Sequence, residues 1–321
     1  MPNKGGDQDV SWQPADDPQC KDAPDDGPVA LVITPKEHDI GGLIVRRALP
    51  SSRRRSVGPF VFLDQMGPAV FEPGQGIDVR PHPHIGLATI TYLYDGVIGH
   101  KDSLGFDQAI RPGEINWMTA GRGIVHSERT PGDVRAAGGP LFGLQAWVAL
   151  PIDFEETAPS FVHYPADALP RWRDGGAEVA LIAGTMSGRT SPVEFFSPIF
   201  YADLRLAVGA VFTLPPDHAE RAAHVAEGRV TIDGRTFQAG QTVIFREGPD
   251  VVITGQTAAK VMVLGGAPLD TAPGARPNQP RHMFWNFVSH SAERIEQAKD
   301  DWKNGRFDMV PGDDEFIPLP E

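Results

Sequence analysis

At 321 residues, with 40% hydrophobic and 22% charged side chains, the chain has the make-up of a globular protein and the length of two compact units. Its formal charge of −13 opposes broad contact with phosphate backbones, so no direct nucleic-acid binding is expected, and no stretch approaches the roughly 20 apolar residues of a membrane helix. Cys20 is the single cysteine, which excludes an intrachain disulfide, and the N-terminus lacks an apolar signal segment, so a cytoplasmic protein is expected.

Residues 1–27 carry Asp7, Asp9, Asp16, Asp17, Asp25 and Asp26 among scattered prolines and are expected to form a flexible acidic tail. From Val29 onward, short apolar runs alternate with turns: Leu43–Ala48, Phe60–Leu63, Ala88–Tyr94, Ile115–Met118 and Leu141–Leu150, then Val179–Ala183, Ile199–Val208, Arg229–Ile232, Thr242–Phe245, Val251–Thr254 and Val261–Leu264. The pairs Asp95-Gly96, Pro112-Gly113 and Asp233-Gly234 punctuate them, as in all-β sandwiches and barrels. The spacing predicts one β unit over 28–155, a proline-bearing linker over 156–176, a second β unit over 177–270, and an extension over 271–321. Arg111-Pro-Gly113-Glu-Ile115 and Gln238-Ala-Gly240-Gln-Thr-Val243 each lead into an apolar strand, an internal echo that supports duplication. Ile295, Ala298 and Trp302 fall at helical spacing and Gly305 is placed as a stop, predicting a helix over 291–304 that packs on a barrel.

The chemistry is concentrated between Gly76 and Glu128. Residues two apart on a strand face the same way, so His82 and His84 point together, as do His126 and Glu128. If the two strands are neighbours, three imidazoles and one carboxylate converge, a donor set suited to Fe, Mn, Ni, Cu, Co or Zn. Pro81 and Pro83 cannot donate ladder hydrogen bonds, which predicts an edge strand or barrel mouth. Gly121 and Gly123 permit a turn that swings His126 inward. Against this stands the plain reading of surface or core histidines, which a lone His-x-His would favour and the second pair, His-x-Glu, disfavours.

The spacing Gly76-(five residues)-His82-x-His84 with Gly123-x-x-His126 resembles the two cupin motifs. His82-Pro-His-Ile-Gly86, Thr89-Ile-Thr-Tyr-Leu93, His100-Lys-Asp-Ser103 and the string Trp117 to Glu128 more specifically resemble the pirin family, as does the closing Phe284-Trp-Asn-Phe-Val-Ser289. The resemblance implies two cupin barrels face to face, with one iron in the first held by His82, His84, His126 and Glu128. The general cupin glutamate expected soon after His-x-His is missing, Ala88 and Thr89 standing there; pirins share this departure. The second unit has His218 and His224 but no His-x-His, so no metal is expected there.

Three functions follow from the resemblance. The first is a quercetin 2,3-dioxygenase that cleaves a flavonol with O2 and releases carbon monoxide, Glu128 acting as the base. The second is a non-catalytic regulator whose iron oxidation state alters a protein-binding surface. The third keeps the fold but changes the chemistry, to another small-molecule dioxygenase or an enzyme on an unrelated metabolite. A monomer is expected in each case. His100, Asp102 and Ser103 are candidates to hydrogen-bond the ligand histidines, the alternative being a plain surface turn. Phe60 and Phe62 are expected to share one strand face and, with Trp117, either line an apolar pocket or fill the core. Arg46, Arg47, Arg53, Arg54 and Arg55 read as a solvated or ion-paired face.

Overall fold

The computed structural model describes residues 18–24, 27–39, 43–269 and 281–320. The chain opens with β1 (Gln19–Asp22), β2 (Val29–Thr34), β3 (Lys36–Asp39) and β4 (Ile44–Leu49). It continues through β5 (Phe60–Phe71), β6 (Asp78–His84), β7 (Leu87–Asp95), β8 (Ile98–Asp102), β9 (Asp107–Ile110), β10 (Ile115–Thr119) and β11 (Ile124–Arg129). A short helix, α1 (Gly132–Ala137), leads into β12 (Gly139–Ala149) and β13 (Ser160–Tyr164). Next come β14 (Arg171–Asp174), β15 (Ala177–Met186), β16 (Arg189–Thr190), β17 (Ile199–Leu206), β18 (Val211–Leu214) and β19 (Glu220–Glu227). The second barrel closes with β20 (Arg229–Ile232), β21 (Arg235–Gln238), β22 (Thr242–Phe245), β23 (Val251–Gly255) and β24 (Ala259–Gly266).

In the first barrel a seven-stranded sheet, β13-β10-β7-β12-β5-β4-β3, faces a four-stranded sheet, β6-β11-β8-β9. In the second, the path β1-β2-β22-β19-β24-β17-β15-β14, with β16 on β15, faces β18-β23-β20-β21. The two small sheets share one winding, so the duplication suggested by the echoed turns extends through the whole architecture. Gly113 and Gly240 sit at φ of 80° and 90° in those two turns, a region that favours glycine.

The two large sheets pack face to face. Phe60, Ile90, Tyr92 and Val148 from the first meet Ile182, Tyr201, Met262 and Leu264 from the second in one core, with the Phe60 and Tyr201 rings 5.5 Å apart. Fully burying each such side chain contributes about 1.5–3 kcal/mol, so this shared face holds the barrels together. Alternation along the strands then sends Thr91, Gln145 and Trp147 to the other face of the seven-stranded sheet, into the first barrel.

Two segments depart from the sequence reading. Residues 19–22 of the expected tail form β1 on β2, and β2 pairs with β22, so residues 19–34 lie in the second barrel's sheet before the chain crosses to the first. The rest of that tail, 1–17 with 25 and 26, lies outside the described residues. The expected linker is divided: β13 adds to β10 of the first barrel and β14 to β15 of the second. A segment that pairs its backbone in a sheet satisfies its polar groups there, which a free linker would leave to water.

The helix lies where the spacing predicts it. α2 (Ala292–Lys303) is capped by Ser291, whose Oγ accepts the Arg294 N–H at 3.2 Å, and Gly305 follows at φ 63°. Before it, β25 (His282–Phe284) and β26 (Phe287–Ser289) form a hairpin. Ile295, Ala298 and Trp302 pack on Trp285, Phe287, Ile85 and Val125, which places the helix against the β6–β11 side of the first barrel. Glu155 fastens the extension: it is buried, and takes Arg281 Nε at 2.7 Å and His290 Nδ1 at 2.7 Å. The arginine cluster is ion-paired, Arg46 with Glu37, Arg47 with Asp64, Arg53 with Asp22 and Arg54 with Glu220. Among the described residues, no helix is long and apolar enough to cross a membrane.

Candidate metal centre

His82 and His84 lie on β6, the edge of the small sheet, as the flanking prolines require. The Pro81 carbonyl is covered from outside by the Ile317 N–H at 2.8 Å. On the neighbouring strand the tight turn holds Gly121 at φ 52°, where an added Cβ would come within 2.1 Å of the Thr157 carbonyl oxygen. The strand that leaves this turn places His126 directly opposite His82, with His84 opposite Ile124.

All three histidines are buried, and one donor atom from each lies within 4.8 Å of the others. His82 Nδ1 donates to the Arg80 carbonyl at 2.8 Å, which leaves its Nε2 as a lone-pair donor. The Nε2 atoms of His84 and His126 are 3.0 Å apart, and His84 Nδ1 is buried with no partner among the described residues. Burial lowers the pKa of all three, well below the usual imidazole range for His84 and His126, and the neighbouring imidazoles add to the effect. Neutral, crowded and desolvated imidazoles of this kind fit a cation. Two nitrogens each about 2.1 Å from one ion and at right angles stand about 3 Å apart.

Glu128 stands outside that 4.8 Å group. A β-bulge between His126 and Glu128 shifts the register, so Glu128 pairs with Val79 rather than with Arg80. Its carboxylate accepts from Gln145 Nε2 at 2.9 Å on each oxygen and from Thr91 Oγ1 at 3.4 Å. Its charge still favours the protonated form of His82, so it borders the same space.

Of the residues that follow the Asp95-Gly96 turn, His100 meets His126, Asp102 reaches the site through His100, and Ser103 binds the backbone of β11 instead. His100 Nδ1 is 3.3 Å from His126 Nδ1, and His100 Nε2 is 2.9 Å from Asp102 Oδ2. Ser103 Oγ accepts the Val125 N–H at 3.2 Å. Phe60 and Phe62 separate, contrary to their nominal two-residue spacing. An irregularity in the β5–β12 register turns both Val61 and Phe62 inward, and Phe60 faces the other barrel. Phe62 stacks on Trp147 at 3.9 Å, and Trp147 stands edge-on to His84 at 5.2 Å, its buried Nε1–H without an acceptor among the described residues. Trp117 belongs to the shared core and donates to Thr119 Oγ1 at 3.1 Å. Gln145, Thr91 and Trp147 were missed in the sequence; the available signal was Gln145, a lone amide within the apolar run Leu144-Gln-Ala-Trp-Val148.

In the second barrel, β18 and β23 occupy the places that β6 and β11 hold in the first. They turn Phe212, Leu214, Val251 and Ile253 inward. His224 instead faces the first barrel, with Nε2 2.8 Å from Gln65 Oε1 and Nδ1 2.8 Å from Thr242 Oγ1, and His218 Nε2 meets the Thr185 carbonyl at 3.0 Å.

Two small-sheet barrels joined through their large sheets, with a histidine triad inside the first, define a bicupin with a metal-type site. The Pirin family profile matches residues 42–148, and that of the Pirin C-terminal cupin domain matches 201–308. The chain belongs to the pirin family. It is 49% identical to a pirin-like protein of Caulobacter vibrioides over 91% of this chain and 100% of that protein. Among solved structures it is similar to quercetin 2,3-dioxygenase from Acinetobacter baumannii, with TM-score 0.80, 33% identity, and 88% of this chain and 91% of that one covered. A second structure under the same name and organism gives TM-score 0.80 at 28% identity, covering 88% and 99%.

Proposed function

We propose that the protein is an iron-dependent dioxygenase that cleaves flavonols such as quercetin, consuming O2 and releasing carbon monoxide. The observation that carries this reading is the meeting of three buried imidazoles beside a carboxylate that is held but not neutralised by a cation. The two Acinetobacter structures of 33% and 28% identity, both described as quercetin 2,3-dioxygenase, support the choice of substrate class.

His82, His84 and His126 would hold the metal, with Glu128 as the fourth donor. Iron in that place would supply Lewis acidity for the reaction. Glu128 takes the proton of the flavonol 3-hydroxyl, and Gln145 keeps the carboxylate oriented to receive it. Trp147 and Phe62 offer a flat aromatic wall beside His84, and the unpaired Trp147 Nε1–H is a donor for a substrate oxygen. The aromatic substrate and O2 are thus the partners this site calls for.

The test mixes iron-loaded protein with quercetin without oxygen, then admits O2. Oxygen uptake with matching carbon monoxide is expected from the natural sequence and none from His126→Ala. Equal uptake by both proteins would overturn the proposal.

A further inference from the structure

We propose that Asp102, acting through His100, fixes the direction of the hydrogen bond to His126 and thereby aims the His126 Nε2 lone pair at the metal position. The inference rests on the metal reading above, but not on the choice of flavonol as substrate.

The argument follows the protons atom by atom. Asp102 is fully buried on β8, opposite His126 in the β8–β11 register. Its Oδ1 accepts the N–H groups of Leu104 at 2.9 Å and Phe106 at 3.2 Å, which fixes the carboxylate plane and leaves Oδ2 facing His100 Nε2 at 2.9 Å. A carboxylate oxygen only accepts, so the proton between them sits on His100 Nε2. A neutral His100 then presents a bare Nδ1. The His126 Nδ1, 3.3 Å away, must be the donor, and the His126 proton resides there. Its Nε2 is left without a proton, facing His84 and the centre of the triad. The reverse direction would set a bare His100 Nε2 against the carboxylate, two acceptors at 2.9 Å. A doubly protonated His100 would place a cation beside the position the metal occupies.

The surroundings keep this chain of bonds in register. Phe161 stacks on the His100 ring at 4.3 Å with only 13° between the planes. Ser103 is bound to β11 from both sides: its N–H donates to the Val125 carbonyl at 2.8 Å, and its Oγ accepts the Val125 N–H. His100 and Asp102 stand outside the histidine triad, behind His126. They are positioning residues, and the general effect of such outer partners on metal affinity is roughly 10–100-fold.

Asp102→Asn gives a test that alters little besides the proton. The two backbone N–H groups of Leu104 and Phe106 require an oxygen at Oδ1, so the new NH2 must face His100 Nε2. That reverses every bond in the chain and places the proton on His126 Nε2. Co2+ affinity, measured by competition with a chelator, is expected to fall roughly 10–100-fold. Nitrogen-15 histidine spectra of the metal-free protein should show His126 protonated at Nδ1 in the natural sequence and at Nε2 in the variant. His100→Gln, whose amide can accept from His126 and donate to Asp102, should keep affinity within about threefold, and His100→Leu should lose it as Asp102→Asn does. Should Asp102→Asn not fold, the His100 pair carries the same contrast. Unchanged Co2+ affinity in Asp102→Asn and His100→Leu, or a His126 Nε2–H in the natural protein, would overturn the proposal. A protein that shows these effects yet consumes no oxygen with quercetin would fail the proposed reaction while keeping this inference.

Discussion

Burying His224 between the barrels makes the stability of the molecule depend on pH in a calculable way. The ring is fully buried and bound on both nitrogens, Nε2 to Gln65 Oε1 and Nδ1 to Thr242 Oγ1. Gln65 directs its amide nitrogen to the Gly67 carbonyl, so its oxygen receives the His224 Nε2–H. The Nδ1 lone pair faces the Thr242 hydroxyl, which can donate to it while the ring is neutral. Burial, with a smaller contribution from the charge of Arg46, lowers the His224 pKa to about 4. The unfolded value is about 6.5. Above that pH both states are neutral and the group contributes nothing to the pH dependence. As the pH falls below it, the unfolded chain takes a proton that the folded one refuses, and stability declines. The loss levels off below about 4, where both are protonated, and reaches about 3 kcal/mol in full and about 2 kcal/mol at pH 5. Urea unfolding of metal-free protein at pH 7.5 and pH 5.0, compared with His224→Gln, isolates this contribution, because the other histidines titrate alike in both. The variant is expected to lose about 2 kcal/mol less than the natural sequence over that interval. Identical pH dependence would show that His224 is not held neutral at the interface.

Gln145→Leu removes the donor shared by both Glu128 oxygens and leaves only the long Thr91 contact. It should cost about 1–3 kcal/mol in urea unfolding and slow flavonol cleavage roughly tenfold or more, read as oxygen uptake; unaltered uptake would deny Gln145 its orienting role. Trp302→Ala empties a buried site in the helix and removes the Nε1–H bond to the Ile317 carbonyl at 3.0 Å. A loss of about 3–5 kcal/mol is expected, with faster hydrogen exchange at the Ile317 amide that covers Pro81 beside His82. Exchange at the natural rate would mean that the helix does not hold the tail over β6.

The histidines were readable because His82 and His84, two apart on β6, share a side where the register is regular, and His126 stands opposite His82 on β11; the bulge after His126 was not readable. The residues that support the histidines were not readable either, since their nearness arises from sheet order. Gln145 lies 17 positions from Glu128 and reaches it only because β12 crosses between β7 and β5 on the opposite sheet. The face shared by Phe60 and Phe62 failed for a similar reason: one irregularity in the β5–β12 register reverses the alternation, and no side chain in that run announces it. β2 falls within the first unit expected over 28–155 yet pairs with β22 of the second, because a strand apolar along its length does not say which of two sheets it joins.

The duplicated architecture turns these observations into an argument about where the chemistry resides. Both barrels place a small sheet of identical winding over a large one, so the fold offers the same interior position twice. In the first, β6 and β11 fill it with imidazoles and a carboxylate; in the second, β18 and β23 fill it with Phe212, Leu214, Val251 and Ile253. An apolar filling adds to the hydrophobic core of its barrel, whereas the polar one loses hydration that only hydrogen bonds and a cation restore. The first barrel supplies bonds to two of the three imidazoles and to the carboxylate beside them, Arg80 to His82, His100 to His126 and Gln145 to Glu128, while His84 Nδ1 has no partner among the described residues. Three histidines on two strands, with those partners behind them, therefore separate a barrel whose interior could hold an ion from one whose matching position is filled by apolar side chains.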